Sequence, residues 1–527
     1  MKRLLTLLVA FCWHTVADAA AVDYDRQAIT IALAQEPPSL DTTKTTDLVS
    51  FFVLGHVAEG LVRYDQAGHL VPGVAASWQV SDTAIEFMLR EDARWSDGSP
   101  VTADDFVYAW RLVNDPANAA PYAAIMYPIR NAEQVQKGEL PVSELGVTAI
   151  DARRLRVELE APCGYCISLM VHATFYPVKA AFHRAQGADY GARPANLLYN
   201  GPFMLVDWVH GARLKLIANP DYWNADAIVL REINIDYITE DTRTKLNLFR
   251  DGAIALTRLG AETVDDALAQ GLRLRTFVSG GMAFVRFNMA AGRLSADPRI
   301  RRAIAQVFDP EEFVNRVIGI PGYRAAHSFF PSWVQGAERP FIEEYPLPPR
   351  ELDLEGARAL VTAATGGQKA ELTLLSVTSP TGAKIAEYFQ GLISARLGLD
   401  VRVDQQILKL YLEKNRSGDF DLALSSWYPD FDDIVTFADL LGSWNANNRG
   451  GYKDALYDEQ LGILMRASEP GRRMAAAAEL QRIIFRDVPV LPMAETGSAY
   501  LQHPRLRGVV RRVLGADPDY THARVVP

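Results

Sequence analysis

Residues 371–430 predict an α/β fold with a parallel sheet, and the length and composition of the chain agree with it. Strand patterns alternate with helix patterns through this stretch: Leu372 to Val377 is an apolar run. Ile385, Phe389, Leu392 and Leu397 then recur at helical spacing as far as Gly398. Leu399 to Val403 reads as the next strand, 407–416 as a helix, and Phe420 to Trp427 as a third strand. Strands separated by helices pair in parallel through crossover connections. A chain of 527 residues exceeds what one core supports, and about three domains of ~150 residues are expected. Apolar residues make up 49% and charged residues 22%, the balance of a globular chain.

The other elements follow in order. Lys2 and Arg3 form a basic start, Leu4 to Val16 an apolar run, and Ala17-Asp18-Ala19 a small-residue cleavage site. This is the pattern of a secretory signal peptide over residues 1–20. The run is too short for a membrane anchor, which needs ~20 residues, and no stable membrane insertion is expected. Cys12 raises lipidation, but Phe11 stands before it where that motif wants a small residue. Ile29, Ile31 and Leu33 alternate, marking a strand in 28–33, and 84–90 and 153–160 read as further strands. Between them, Trp95-Ser96-Asp97-Gly98-Ser99-Pro100 is turn-rich. Thr102 is placed as a helix N-cap with Asp105 returning the bond. Phe106, Trp110 and Val113 share one helical face, and Asp115-Pro116 ends the helix. Phe203 to Ala218 reads as a hairpin turning at His210-Gly211, with Phe203, Leu205 and Val209 on one side. Leu230, Ile233, Ile235 and Tyr237 mark another strand. Pro298 opens a helix with Ile300, Ile304 and Val307 inward, ending at Asp309-Pro310.

Ligands of parallel α/β sheets bind beyond the carboxyl ends of strands. The third strand ends in Trp427-Tyr428-Pro429-Asp430, which delivers an aromatic and a carboxylate to that position. The alternative is a solvated acidic loop with Asp432 and Asp433. Charge is compatible with a cationic ligand group: 54 Lys and Arg against 64 Asp and Glu leave −10. That balance argues against nucleic acid and anionic membranes, although it also serves plain solubility. Cys163 and Cys166 stand in Pro162-Cys-Gly-Tyr-Cys. In an oxidising compartment they suit a local disulfide, with a redox Cys-x-x-Cys and a zinc site as the other options. The nine histidines are scattered. Hydrolase elbows, phosphate loops and zinc-protease motifs are missing, so an enzyme is not expected, and a periplasmic hydrolase stays as the remote alternative.

Several long blocks in order resemble one family. They are EGLVRYDQAGHLVPGVAASW (Glu59–Trp78), LREDARWSDGSPVTADDFVYAWRLVNDPANAAP (Leu89–Pro121), YNGPFMLVDWVHGARLKLIANPDYW (Tyr199–Trp223), FNM (Phe287–Met289) with DPRIRRAIAQVFD (Asp297–Asp309), and WYPDFDD (Trp427–Asp433). They are similar to the oligopeptide-binding type of extracellular solute-binding proteins, family 5, the periplasmic receptors of ABC importers. The resemblance implies a periplasmic binding protein-like α/β fold (type II, cluster C), two lobes with an extra inserted domain. Domain I would comprise residues 21–60, 175–280 and 495–527, domain II 61–174, and domain III 281–494.

The same resemblance implies a monomer, released into the periplasm, that encloses a peptide between lobes and hands it to an inner-membrane ABC permease. No cofactor is implied. An extended peptide offers its amides to strands, so main-chain bonds hold it regardless of sequence. Its ammonium needs a partner once desolvated. The family's aspartate for that task matches Asp430, with Trp427 and the backbone of Ser425 and Ser426 flanking the ligand. Thr46, Asp47, Leu48 and Tyr122 would face it from the other side. Three departures bear on the rest of the cleft. An arginine three residues before the tryptophan becomes Leu424, a cleft tryptophan becomes Ile407 or Leu408, and an aromatic run becomes Leu491-Pro492-Met493. Arg416 stands in as the carboxylate partner. The departures leave open a modified peptide such as a murein fragment, or a metal chelate or haem-type ligand.

Overall fold

The computed structural model describes residues 20–527. The reading of Lys2 to Ala19 as a leader, and that of Cys12, lie outside the described residues. Three sheets carry the architecture. The first runs in the order Val22–Asp23, Ala28–Leu33, Glu232–Ile238, Arg213–Ala218, Phe203–Val209. Its strand Ala28–Leu33 pairs in parallel with Glu232–Ile238, and the other neighbours are antiparallel. Alternation explains the core: Ile29, Ile31, Leu214, Leu216, Ile233 and Ile235 are all buried. The hairpin departs from the expected alternation. Lys215 faces Asp207 but Leu216 faces Leu205, which leaves Val206 unpaired as a bulge. The extra residue inverts the phase of the strand. Trp208 therefore turns inward, and Val209, expected inside, is exposed.

The second sheet is antiparallel and lies wholly within 75–158, in the order Ala75–Val80, Ala84–Leu89, Arg154–Glu158, Val147–Ala149. The helix Ala103–Asn114 covers it, with Phe106, Trp110 and Val113 buried as their spacing predicts. Asp105 accepts from the Thr102 amide at 2.9 Å and from Trp95 Nε1 at 3.1 Å. The capping carboxylate thus also ties the preceding turn to the helix.

The third sheet positions the site. Its order is Leu256–Leu259, Val490–Gln502, Arg275–Phe287, Leu422–Trp427, Glu371–Val377, Asp400–Gln406. The last three strands are parallel, as the alternation predicts. Pro380–Leu397 packs on one face through Phe389 and Ile393, and Leu408–Ser417 on the other through Tyr411. The long strands Arg275–Phe287 and Val490–Gln502 are paired neighbours. Their pairing skips Ser279 to Gly281, where Gly280 has φ +82° and a Cβ would stand 2.0 Å from Val513 Cγ1. One apolar cluster continues from Phe87, Trp110 and Phe175 to Met282, Phe284, Phe437 and Leu461, so the second and third sheets share a core.

Candidate functional site

The strand Leu422–Trp427 is half-paired, and that sets the chemistry. Along one edge all six residues pair with Arg275–Phe287, from Phe287 opposite Leu422 to Met282 opposite Trp427. Along the other edge only Leu422 and Ala423 meet Glu371–Val377, which then diverges. Ser425, Ser426 and Trp427 consequently present main-chain groups to an edge that has no strand partner among the described residues. Ser425 donates or accepts at the Tyr411 hydroxyl, 3.0 Å away, Ser426 is exposed, and Trp427 is half-buried. Trp427 Nε1 and the Asp430 amide both donate to Thr436 Oγ1 at 3.3 Å, which fixes the turn after the strand.

Asp430 stands at the end of that open edge. Burial alone pushes its carboxyl up to about 6, and no charged side chain offsets the cost. Asp432 is also raised to about 6, by burial and by the adjacent Asp433. Asp433 itself is satisfied, accepting two bonds from Arg473 Nη2 at 2.8 Å. The acidic run is thus one paired residue and two that lack a cation. A buried carboxylate without a partner is costly, and an incoming cation removes that cost.

Tyr122 faces Asp430: its phenol is pushed up to about 12 by burial and by the Asp430 charge. Its ring meets Phe51 edge-on at 6.3 Å and His172 at 5.1 Å. Burial drives His172 down to about 4, so it is a neutral wall at pH 7. Phe51 and His172 escaped the sequence reading. Phe51 carries a signal of sorts in the aromatic pair of Leu48–Val57, whereas nothing marks His172 until the chain folds. Phe431 stacks on Tyr165 at 5.2 Å, and Tyr165 lies inside the Cys163–Cys166 disulfide loop. The two cysteines are therefore bonded to each other, not to a metal.

The remaining expected residues sit in other roles. Asp47 caps the helix Leu48–Val57, accepting from the Ser50 amide and hydroxyl at 2.8 Å. Its oxygens are committed to the helix start. Leu48 is 78% exposed, one turn before Phe51 on the same helix, and Thr46 is exposed beside it. Arg416 is exposed on Leu408–Ser417, close enough to Arg449 to lower that guanidinium's pKa. Ile407 and Leu408 are exposed at 61% and 59%.

An α/β scaffold with an open strand edge and an unpartnered carboxylate beyond it is suited to holding a solute. The description "Bacterial extracellular solute-binding proteins, family 5 Middle" matches residues 69–449, well over half of the chain, and this chain belongs to that family. It is 29% identical over 514 residues to the periplasmic murein peptide-binding protein MppA of Escherichia coli, covering 96% of this chain and 94% of that one. It is 29% identical over 531 residues to the periplasmic oligopeptide-binding protein OppA of Salmonella typhimurium, covering 98% and 95%. Among solved structures, the substrate-binding domain of an oligopeptide ABC transporter from Bacillus anthracis matches with TM-score 0.78 and 31% identity, covering 95% of this chain and 99% of that chain. The fold is that of these periplasmic binding proteins. Among the described residues no helix is long and apolar enough to cross a membrane.

Proposed function

We propose that this protein captures short peptides in the periplasm and delivers them, chemically unchanged, to an ABC permease. The observation that carries the reading is the open edge of Ser425–Trp427 ending beside the unpartnered Asp430. An extended peptide adds to that edge through main-chain bonds. Its ammonium pairs with Asp430 and restores that carboxyl to its charged form. Trp427, Tyr122, Phe51 and His172 surround the first residue with aromatic surface, and Thr46 and Leu48 lie along the opposite rim. The peptide-binding names of the relatives agree with this reading.

The proposed domains are 21–60, 175–280 and 495–527 for the first lobe, 61–174 for the inserted unit, and 281–494 for the second lobe. Two facts support them. The antiparallel sheet of 75–158 is self-contained, and the crossings near 280 and 494 fall on neighbouring strands of one sheet. Two adjacent strands that both cross between lobes form a hinge.

The test is calorimetry with a randomised tripeptide pool, free and N-acetylated. The parent protein is expected to bind the free pool more tightly by about a hundredfold or more, because an unpaired buried charge costs roughly 3–5 kcal/mol. Asp430→Asn should abolish the difference. Equal affinity of the parent for both pools would remove Asp430 from the role.

A further inference from the structure

A cavity of about 150 Å³ lies within residues 308–492, and none of its lining belongs to the strand Leu422–Trp427 or to the turn that carries Asp430. Its walls come from the turn at 308–310, the run 326–329, the loop 347–352, the end of the helix Pro470–Asp487, and the strand residues Val490, Leu491 and Pro492. The strand Arg275–Phe287 separates those last three residues from Leu422–Trp427. Phe308, Phe329, Ile484 and Leu491 are buried around the space, and Phe485 is half-buried beside them. Apolar walls that face a void lose the contacts a filled core would give them. A space of roughly 150 Å³ is large enough for one benzene ring.

The polar groups of the lining are engaged with the protein, apart from one. Ser328 Oγ donates to Gln481 Oε1 at 2.6 Å, and Gln481 Nε2 donates to the Tyr345 carbonyl at 2.8 Å. Asp309 Oδ1 accepts from the Glu311 and Glu312 amides at 2.9 and 3.3 Å, as the cap of a short helix. His327 is exposed at the rim, with its Nε2 3.4 Å from Glu311 Oε1. Arg350 is the exception. It is half-buried and lines the cavity. Its Nη2 donates to the Phe485 carbonyl at 2.9 Å, and its guanidinium carbon stands 4.2 Å from the centre of the Phe485 ring. Stacking on an aromatic face orients a guanidinium, and the fork has five donors. Among the described residues no carboxylate forms a salt bridge with it. Burial lowers its pKa, and no acidic group opposes that shift.

We propose that this cavity is a second ligand site, which binds a small aromatic monocarboxylate with its ring among Phe308, Phe329 and Phe485 and its carboxylate on Arg350. The site is separate from the peptide edge and does not depend on it. Each feature of the ligand answers a feature of the cavity. A ring adds edge or offset contacts to the phenyl groups already there. One carboxylate supplies the missing acceptor, and a guanidinium fork can give it two parallel bonds. An amine would meet Arg350 as a like charge, and a second carboxylate would have to lie against apolar walls without a partner.

The experiment is fluorine NMR titration of the full-length protein with 4-fluorobenzoate and, as its neutral counterpart, 4-fluorobenzamide. The parent should bind the acid more tightly than the amide by about tenfold or more, the scale of a hydrogen bond to a charged group. Arg350→Met keeps much of the side chain's length and should bring the acid down to the level of the amide. Leu347→Trp, on the half-buried loop of the lining, fills the space and should weaken both probes. This second variant carries the test if Arg350→Met does not fold. A saturating pool of free tripeptides should leave 4-fluorobenzoate bound. A parent that binds neither probe, or binds both equally, overturns the proposal. So does full acid preference in Arg350→Met, or unchanged binding of both probes by Leu347→Trp. Displacement of 4-fluorobenzoate by the tripeptides would put the probe at the peptide edge and refute a separate site, while leaving the Asp430 reading untouched.

Discussion

Asp430, proposed to hold the ligand's ammonium, differs from a carboxylate that stabilises the fold. Its folded pKa of about 6 is above the ordinary aspartate value, and burial is the cause. A raised acid pKa means the folded state holds the proton more tightly than the unfolded chain does. Stability from this group is therefore present at pH 4 and is lost as pH rises through about 6. Asp430→Asn should accordingly stabilise the ligand-free protein at pH 7. The gain is at most ~3 kcal/mol, and nearer 1–2 kcal/mol once remaining solvent contact is allowed for. Denaturant melts at pH 7 and pH 4.5 check it: the gain should shrink at the lower pH, and a variant less stable at pH 7 would contradict the account. Asp47, also expected at the site, shows the opposite case. Its two bonds to Ser50 make it a helix cap, and a cap is worth about 1 kcal/mol. Sequence alone does not separate these two aspartates, because the difference lies in what surrounds each after folding.

At the scale of elements, the disulfide loop packs against the segment that follows the open strand. Cys163 and Cys166 are bonded, Tyr165 between them stacks on Phe431, and Gly164 lies against Arg473. A Cβ at Gly164 would stand 2.7 Å from Arg473 Nε, so any side chain there would displace the arginine that pairs with Asp433. Closing so short a loop contributes about 2 kcal/mol by chain entropy. The double variant Cys163→Ser with Cys166→Ser should raise amide exchange across 162–170 and weaken peptide binding. Hydrogen-exchange mass spectrometry decides this: unchanged exchange would mean that the Tyr165–Phe431 stack suffices without the bond. The strand–helix–strand run of 371–427 was legible because each element repeats its own period, and the Thr102 cap because its partners are three residues apart. The bulge at Val206 was not legible. Nothing in Phe203 to Val209 announces the extra residue, and it reverses which side Val209 faces.

At the scale of the whole molecule, the proposed hinge is the pair of adjacent strands that would cross between the lobes. Gly280 sits at that crossing in a left-handed conformation against Val513. Gly280→Ala adds both backbone strain, on the order of 1–3 kcal/mol, and a contact of 2.0 Å that the structure must relieve. The expected result is a lowered denaturant midpoint with reduced peptide affinity. A variant with parental stability and affinity would show that the crossing tolerates a side chain and that the hinge lies elsewhere.

Periodicity, caps and turn residues were enough to establish the α/β class, the parallel trio of strands and the aspartate at its end. These are local properties, expressed over a few residues of chain. The blocks that resemble the family added the overall scheme. Folding was needed to reveal that Glu371–Val377 leaves the edge of Ser425–Trp427 uncovered and that Tyr122, with Phe51 and His172 against its ring, faces Asp430. Each is a relation between residues far apart in the chain. Whether a buried charge has a partner depends on which distant segments pack against it, and no local pattern encodes that.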